Sequence, residues 1–360
     1  MTSEQAKLLD LETEVIRKLL TGTATCRYEE KYNDNPEIIL YITSDVNIKE
    51  YPNTEKYLRQ FYDQLCKRRE ADQGKIDWFV MNRPRDKTLF TQAKIFIRQT
   101  SDTLIATYNN TGLHCLKSVI VVQLKDNINL SYFYLLSLIN SQVLNYYHRD
   151  ITQENDRIFS EVKPINLEKL PIRKINFTTP ADRVQQDLDN AIGLYRQYQN
   201  DRDFSPILNQ VNHHLSQQPE EADVIHDLLA YLAEQMLELN QQKQGEIKSF
   251  LQWLERFIGC PIDTLTNKSK IQNYLGDYYK EEPHLSFEEL IEILKKNKKK
   301  VKIDPVARKE QQTLEKEYKA SLDTLLPIKM QLTRCDKLID RIVYQLYGLT
   351  EEEIAIVEGK

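Results

Sequence analysis

No apolar run in this 360-residue sequence approaches the roughly 20 residues that a membrane-spanning helix needs; "SVIVVQL" (118–124) reads only as a buried strand. The opening "MTSEQAKLLDLETEV" carries charge where a secretory leader needs an apolar centre. Cysteine is sparse, with five residues at Cys26, Cys66, Cys115, Cys260 and Cys335, odd in number and never spaced as CxxC. Neither a disulfide framework nor a zinc knuckle fits that pattern. It predicts reduced thiols in a cytoplasmic protein without a membrane partner.

Catalytic signatures are missing as well. There is no Walker loop, no GxGxxG, no HExxH, no GxSxG and no clustered metal-ligand spacing. His213 and His214 fall in a Gln/Asn-rich stretch and read as surface decoration of a linker. "DRIFSEVK" supplies Asp156, Glu161 and Lys163, a loose match to magnesium nucleases in which two carboxylates hold the metal and a lysine polarises the water. ExK arises freely in a chain that is 29% charged. The expectation is therefore no catalysis by this chain alone, and neither cofactor nor metal of its own. A self-contained magnesium nuclease stands as the rival reading.

What is present is charge of uneven distribution. The net charge of −5 conceals 25 Lys+Arg against 23 Asp+Glu in residues 1–176, and 24 against 31 in residues 177–360. Within the first part, residues 59–98 hold ten basic and five acidic side chains. A basic patch on an acidic protein is a common form of DNA-binding module.

The two parts also differ in hydrophobic period. Up to residue 176, short strands are predicted around "PEIILYIT", "DWFVMN", "KIFIRQT", "TLIATYN" and "SVIVVQL". They mix with a helix from a Thr54 cap to Glu70 and another from Ser131 to Asp150. "KPINLEKLPIRKI" (163–175) closes this part as an extended run. The class is α+β with a mainly antiparallel sheet. Residues 177–360 are helical, with apolar residues at three- and four-residue steps over 224–257 and 314–346. Those are two long helices, the second expected to kink at Pro327. A small inserted subdomain over about 259–306 separates them, so an antiparallel pair is predicted. Its "KKNKKKVK" (295–302) is open to two readings, a solvated helix end or a phosphate contact.

The strand "KIFIR" poses a question of its own. Alternation puts Ile95 and Ile97 on a core face and Lys94, Phe96 and Arg98 on the other. A face of two cations around an aromatic needs a purpose.

Several segments in order supply one by resemblance. "LLTGTATCRY" (19–28), "YPNTEKYLRQFYDQLCKR" (51–68), "IDWFVMNRPR" (76–85), "AKIFIRQTSD", "YFYLLSLINSQVLNYYHRD" (132–150) and "IFSEVKPINLEKLPI" (158–172) together resemble the TaqI-like C-terminal specificity domain. That domain occurs in N6-adenine DNA methyltransferases and type IIG restriction-modification enzymes. The ending "IDRIVYQLYGLTEEEIAIVEG" (339–359) is similar to the tail of such polypeptides. In that family an upstream domain carries a Gly-rich S-adenosylmethionine loop and an Asn-Pro-Pro-Tyr-type motif. Neither occurs here, since Asn35-Pro36 is followed by Glu37. A second departure is Asn155, Asp156 and Arg157 where relatives often have Gly before the "FSxVK" strand.

The resemblance implies a non-catalytic module that recognises double-stranded DNA and sets the target adenine before a methyltransferase partner. S-adenosylmethionine, and Mg²⁺ if the system cleaves, would belong to that partner. The long helices would act as spacer and docking surface. Lys94 and Arg98 become the leading DNA contacts, with Gln99 beside them able to read adenine. Arg83 and Arg85 in the "NRPR" turn, Arg27 and Tyr28 after "LLTG", and Lys163 and Arg173 flanking "LPI" support them. A decayed helical adaptor that no longer touches DNA is the remaining alternative.

Overall fold

The computed structural model describes residues 1–31, 35–86, 88–152 and 161–359. They divide into two compact units, residues 1–132 with 148–170, and residues 133–147 with 171–360. No helix among the described residues is long and apolar enough to cross a membrane.

The fold is α+β. In the first unit the described strands are β1 (Ile16–Leu20), β2 (Thr25–Cys26), β3 (Glu29–Glu30), β4 (Ile38–Leu40), β5 (Lys94–Arg98), β6 (Ala106–Asn109), β7 (His114–Cys115) and β8 (Val119–Val122). β1 lies between antiparallel β4 and a short parallel pairing with β7, while β2 and β3 form an antiparallel pair. β5 is the middle strand of an antiparallel β6-β5-β8 sheet, where Ile97 faces Ala106 on one side and Ile120 on the other. β-branched and aromatic residues in "KIFIR" and "VIVV" suit that pleated surface.

Both faces of β5 are covered, which alternation alone does not reveal. Lys94, Ile95, Phe96 and Ile97 are all buried, and Phe96 packs with Leu20, Phe90, Cys115 and Val119. The "DWFVMN" segment is a turn rather than a strand. Val80 N–H donates to the Asp77 carbonyl at 3.1 Å and Met81 N–H to that of Ile42 at 2.7 Å.

The predicted helix over 54–70 breaks into Pro52–Arg59, Tyr62–Cys66 and Arg69–Asp72. Its start is held by Glu12, not by Thr54 as a cap. The Asn53 and Thr54 amides donate to the two Glu12 carboxylate oxygens at 2.8 and 2.9 Å, and the Thr54 hydroxyl donates at 2.6 Å. An acid from a distant segment thus satisfies orphan amides at the positive end of the helix. The stretch after Lys163 opens with the short helix Pro164–Leu167, and no strand forms at "LPI".

The second unit is built on two helices, Ala222–Ile258 of 37 residues and Arg308–Leu346 of 39. Cys335 Sγ meets the Leu232 carbonyl at 3.5 Å, and the Phe250 and Tyr318 rings lie 5.6 Å apart. One helix is traversed upward as the other is traversed downward, so the pair is antiparallel. Pro327 sits inside the second helix, which remains one element on either side of it. Between them, residues of the inserted lobe such as Ile262, Leu265, Tyr274, Leu290 and Leu294 share a core with Phe250, Leu254, Leu314 and Tyr318.

Residues 133–147 join this unit rather than the sheet-bearing one. The N–H of Gln142 donates to Asp340 Oδ1 at 2.8 Å, and the Tyr134 hydroxyl donates to the Arg173 carbonyl at 3.2 Å. His214 is no surface decoration: it lies on the helix Ser205–Leu215 with a side chain only 3% exposed. Its Nδ1 lies 2.8 Å from Glu221 Oε2 and its Nε2 4.0 Å from Asp187, while Arg183 pairs with the same Glu221 at 3.0 Å. The imidazole contacts and the guanidinium ion pair tie Asp187 and Glu221 to one corner of the unit, where they join the segments that carry them.

Candidate nucleic-acid interface

The end of β5 organises a rim in the first unit. Gln99 N–H donates to the Ser118 carbonyl at 3.0 Å, and the Gln99 carbonyl accepts from Val162 N–H at 2.7 Å. Thr100 and Glu161 form an antiparallel bridge. The Gly22 N–H donates to Ser118 Oγ at 3.3 Å, and a Cβ at Gly22 would stand 3.0 Å from the Ser118 carbonyl oxygen. That close approach is why glycine occupies the "LLTG" turn. Four separate stretches, 21–23, 98–100, 116–118 and 161–163, therefore meet along one edge.

Their side chains include cations and a primary amide. Arg98 is half-buried, and its Nε donates to the Thr100 carbonyl at 2.9 Å. Gln99 Nε2 donates to Glu161 Oε1 at 3.3 Å, which fixes the amide rather than leaving it to rotate. Lys163 is half-buried at the start of the helix Pro164–Leu167. Lys117, exposed beside the 50%-exposed Leu116, completes the edge. Sequence reasoning missed Lys117; the turn before "SVIVV" gave no hint that its neighbour Ser118 meets Gln99.

A second group lies on the helical turns that start at residue 52 and on the irregular segment that follows them. Arg83 has a left-handed φ of 52°, its side chain is 81% exposed, and it pairs with Glu70 at 3.1 Å. Arg85 is exposed, and its NH1 lies 3.7 Å from Cys115 Sγ. Exposed Lys67, Arg69 and Lys75 belong to the same stretch. Arg59 lies 5.5 Å over the Trp78 ring, and Tyr62 meets that ring edge-on at 5.0 Å. Cations interleaved with aromatic rings are the ingredients for holding a phosphate backbone.

Three candidates change character. Lys94 is fully buried, and its ammonium donates to the carbonyls of Phe90 at 2.7 Å and Gln92 at 3.0 Å. Burial depresses its pKa, with Glu30 and Cys115 pulling the other way. Burial likewise raises the Glu30 carboxyl, which Asn109 steadies through a 2.8 Å hydrogen bond. Lys94 is thus a core tie between the strand and the turn preceding it, not an open cation. Tyr28 is also buried, with a left-handed φ of 54° and its N–H on the Ala106 carbonyl at 2.9 Å; the half-buried Arg27 guanidinium sits 5.9 Å from its ring. Arg173 falls in the second unit. It donates to the Leu346 carbonyl at the end of the long helix and pairs with Glu220. A cation there complements the negative helix end, a structural task.

Of the nuclease trio, Asp156 lies outside the described residues, and Glu161 already accepts from Gln99. The described groups His214, Asp187 and Glu221 are the one set of three close metal-type ligands among the described residues. Arg183 supplies a cation there already.

Residues 18–172 match the model of the TaqI-like C-terminal specificity domain, a match that supports a DNA-recognition specificity module of the kind used in restriction-modification systems. Residues 222–343 match a second family, a domain of unknown function (DUF8810).

Proposed function

We propose that the chain is the specificity portion of an N6-adenine DNA methyltransferase or type IIG restriction-modification system. It grips duplex DNA and sets a target adenine for a methyltransferase partner, which flips and methylates the base with S-adenosylmethionine. One observation carries this reading. The matched stretch, 18–172, is the stretch whose four separate segments assemble the rim of Arg98, Gln99, Lys117 and Lys163.

Arginine and lysine on the rim and on the 59–85 turns neutralise phosphates without regard to sequence. Gln99 offers the donor and acceptor pair that matches adenine in the major groove. Its hydrogen bond to Glu161 presents the amide in one orientation. The chain is a binding partner in this scheme and performs no bond chemistry itself.

Selection of duplexes from a random pool by the full chain tests the proposal. Enrichment of one short adenine-containing motif is the expected result. Retention without any motif, or no retention at low salt, overturns it.

A further inference from the structure

The inserted lobe of the second unit carries a feature that the recognition rim does not use. Residues 295–302 place six lysines in eight positions with no acid among them. The rest of residues 177–360 has 18 cations against 31 acids, so this cluster runs against its surroundings. Lys295, Lys296, Lys298, Lys299, Lys300 and Lys302 are all exposed.

Helix capping explains only the start of the run. The helix Phe287–Lys296 ends with Lys295 and Lys296, where cations favour its negative end. That effect fades within the last turn, and four lysines lie beyond it. Their backbone is a fixed platform rather than a fraying end. Asn297, buried between them, accepts from the Thr266 N–H at 2.9 Å and hydroxyl at 3.0 Å, and donates to the carbonyls of Thr266 at 3.2 Å and Ile293 at 2.8 Å.

Three lysines are engaged locally. Lys295 pairs with Glu292 at 2.8 Å, Lys298 with Asp304 at 3.2 Å, and Lys300 donates to the Thr264 carbonyl at 2.6 Å. Lys296, Lys299 and Lys302 have no acid within ion-pair distance among the described residues. The stem of Lys302 lies against Gly259, where a Cβ would stand 2.6 Å from Lys302 Cδ. Thr266 and residues 295–300 line a shallow depression of about 410 Å³. Holding six like charges together costs electrostatic repulsion, which an anionic partner relieves.

We infer that this lysine-rich tip is a second, sequence-independent contact to the phosphate backbone of duplex DNA. The inference rests on the DNA-recognition reading of the first unit, because that reading supplies the polyanion. Specificity would stay with the rim, and the tip would add affinity alone.

The test compares the full chain with the triple variants Lys296→Gln/Lys299→Gln/Lys302→Gln and Lys296→Glu/Lys299→Glu/Lys302→Glu. Binding to a long mixed-sequence duplex is followed by fluorescence anisotropy over a salt series. The slope of log K against log salt should shrink by about 0.9 for each phosphate no longer neutralised, so by about 2 to 3 in the glutamine triple. Motif preference and the thermal transition should stay unchanged. A wild-type slope in both triples, with DNA still bound, overturns the tip contact and leaves the rim reading intact; it is also the result for a merely solvated helix end or for a tip that serves an acidic protein. No DNA binding by the wild-type chain overturns the recognition reading and this inference with it.

Discussion

Gln99 and Glu161, far apart in sequence, are joined side chain to side chain at 3.3 Å on the rim of the recognition unit. The backbone on both sides is paired as well, since Val162 N–H donates to the Gln99 carbonyl at 2.7 Å. In the proposed role, an amide that is both anchored and oriented would discriminate bases instead of merely touching them. Gln99→Ala should therefore lower preference at one base pair by about 1–3 kcal/mol while leaving the salt slope alone. Glu161→Ala should broaden the same position. Unchanged motifs from both variants would remove this pair from base reading.

The exposed cations should behave in the opposite way. Arg83→Glu with Arg85→Glu, and separately Lys117→Glu, should reduce the salt slope by about 0.9 for each phosphate released and weaken binding alike for every sequence. Arg83 gives up an ion pair at the surface with Glu70, so stability should change little. A salt series on matched and mismatched duplexes separates this outcome from a change in specificity.

Lys94 is where the tertiary structure reverses the expectation. Lys94→Met removes an ammonium from beneath two carbonyls and takes away a positive charge that favours the ionised form of the half-buried Glu30. Breaking such an arrangement costs about 3 kcal/mol. Chemical denaturation should show that loss, with the salt slope of the surviving folded protein unchanged. A variant of full stability and weakened DNA binding would restore Lys94 to the interface.

Glu12 predicts a pH dependence. Burial raises its pKa, but the Thr54 hydroxyl and the Asn53 and Thr54 amides outweigh burial and hold it below the usual value of 4.5. A carboxyl depressed on folding contributes stability above its unfolded pKa and loses it as pH falls through the folded one. Between pH 5 and 3 the first unit should weaken more steeply in the wild type than in Glu12→Gln. At neutral pH that variant should already be about 1–2 kcal/mol less stable. Parallel stability–pH curves for the two proteins would contradict the capping role.

Much of the architecture follows from the chain's own pattern. Apolar residues at three- and four-residue steps dictate two long helices, because only a helical face can gather them. Short β-branched runs between turn residues dictate an antiparallel sheet. The excess of cations over acids in residues 59–98 falls inside the stretch that matches the specificity domain, and the ordered segments from Leu19 to Ile172 carry that match. Local pattern could not decide which cations face solvent. Alternation along "KIFIR" assumes that one face is wet, yet β5 lies between two strands with both faces covered, so Lys94 is sealed and tied to carbonyls. Nor could it join residues remote in sequence: Ser118 meets Gln99 and brings the neighbouring Lys117 to that edge, Arg173 closes the end of a helix at Leu346, and His214 is enclosed by Asp187 and Glu221. Burial and charge pairing are properties of neighbours in space, and only the folded chain selects those neighbours.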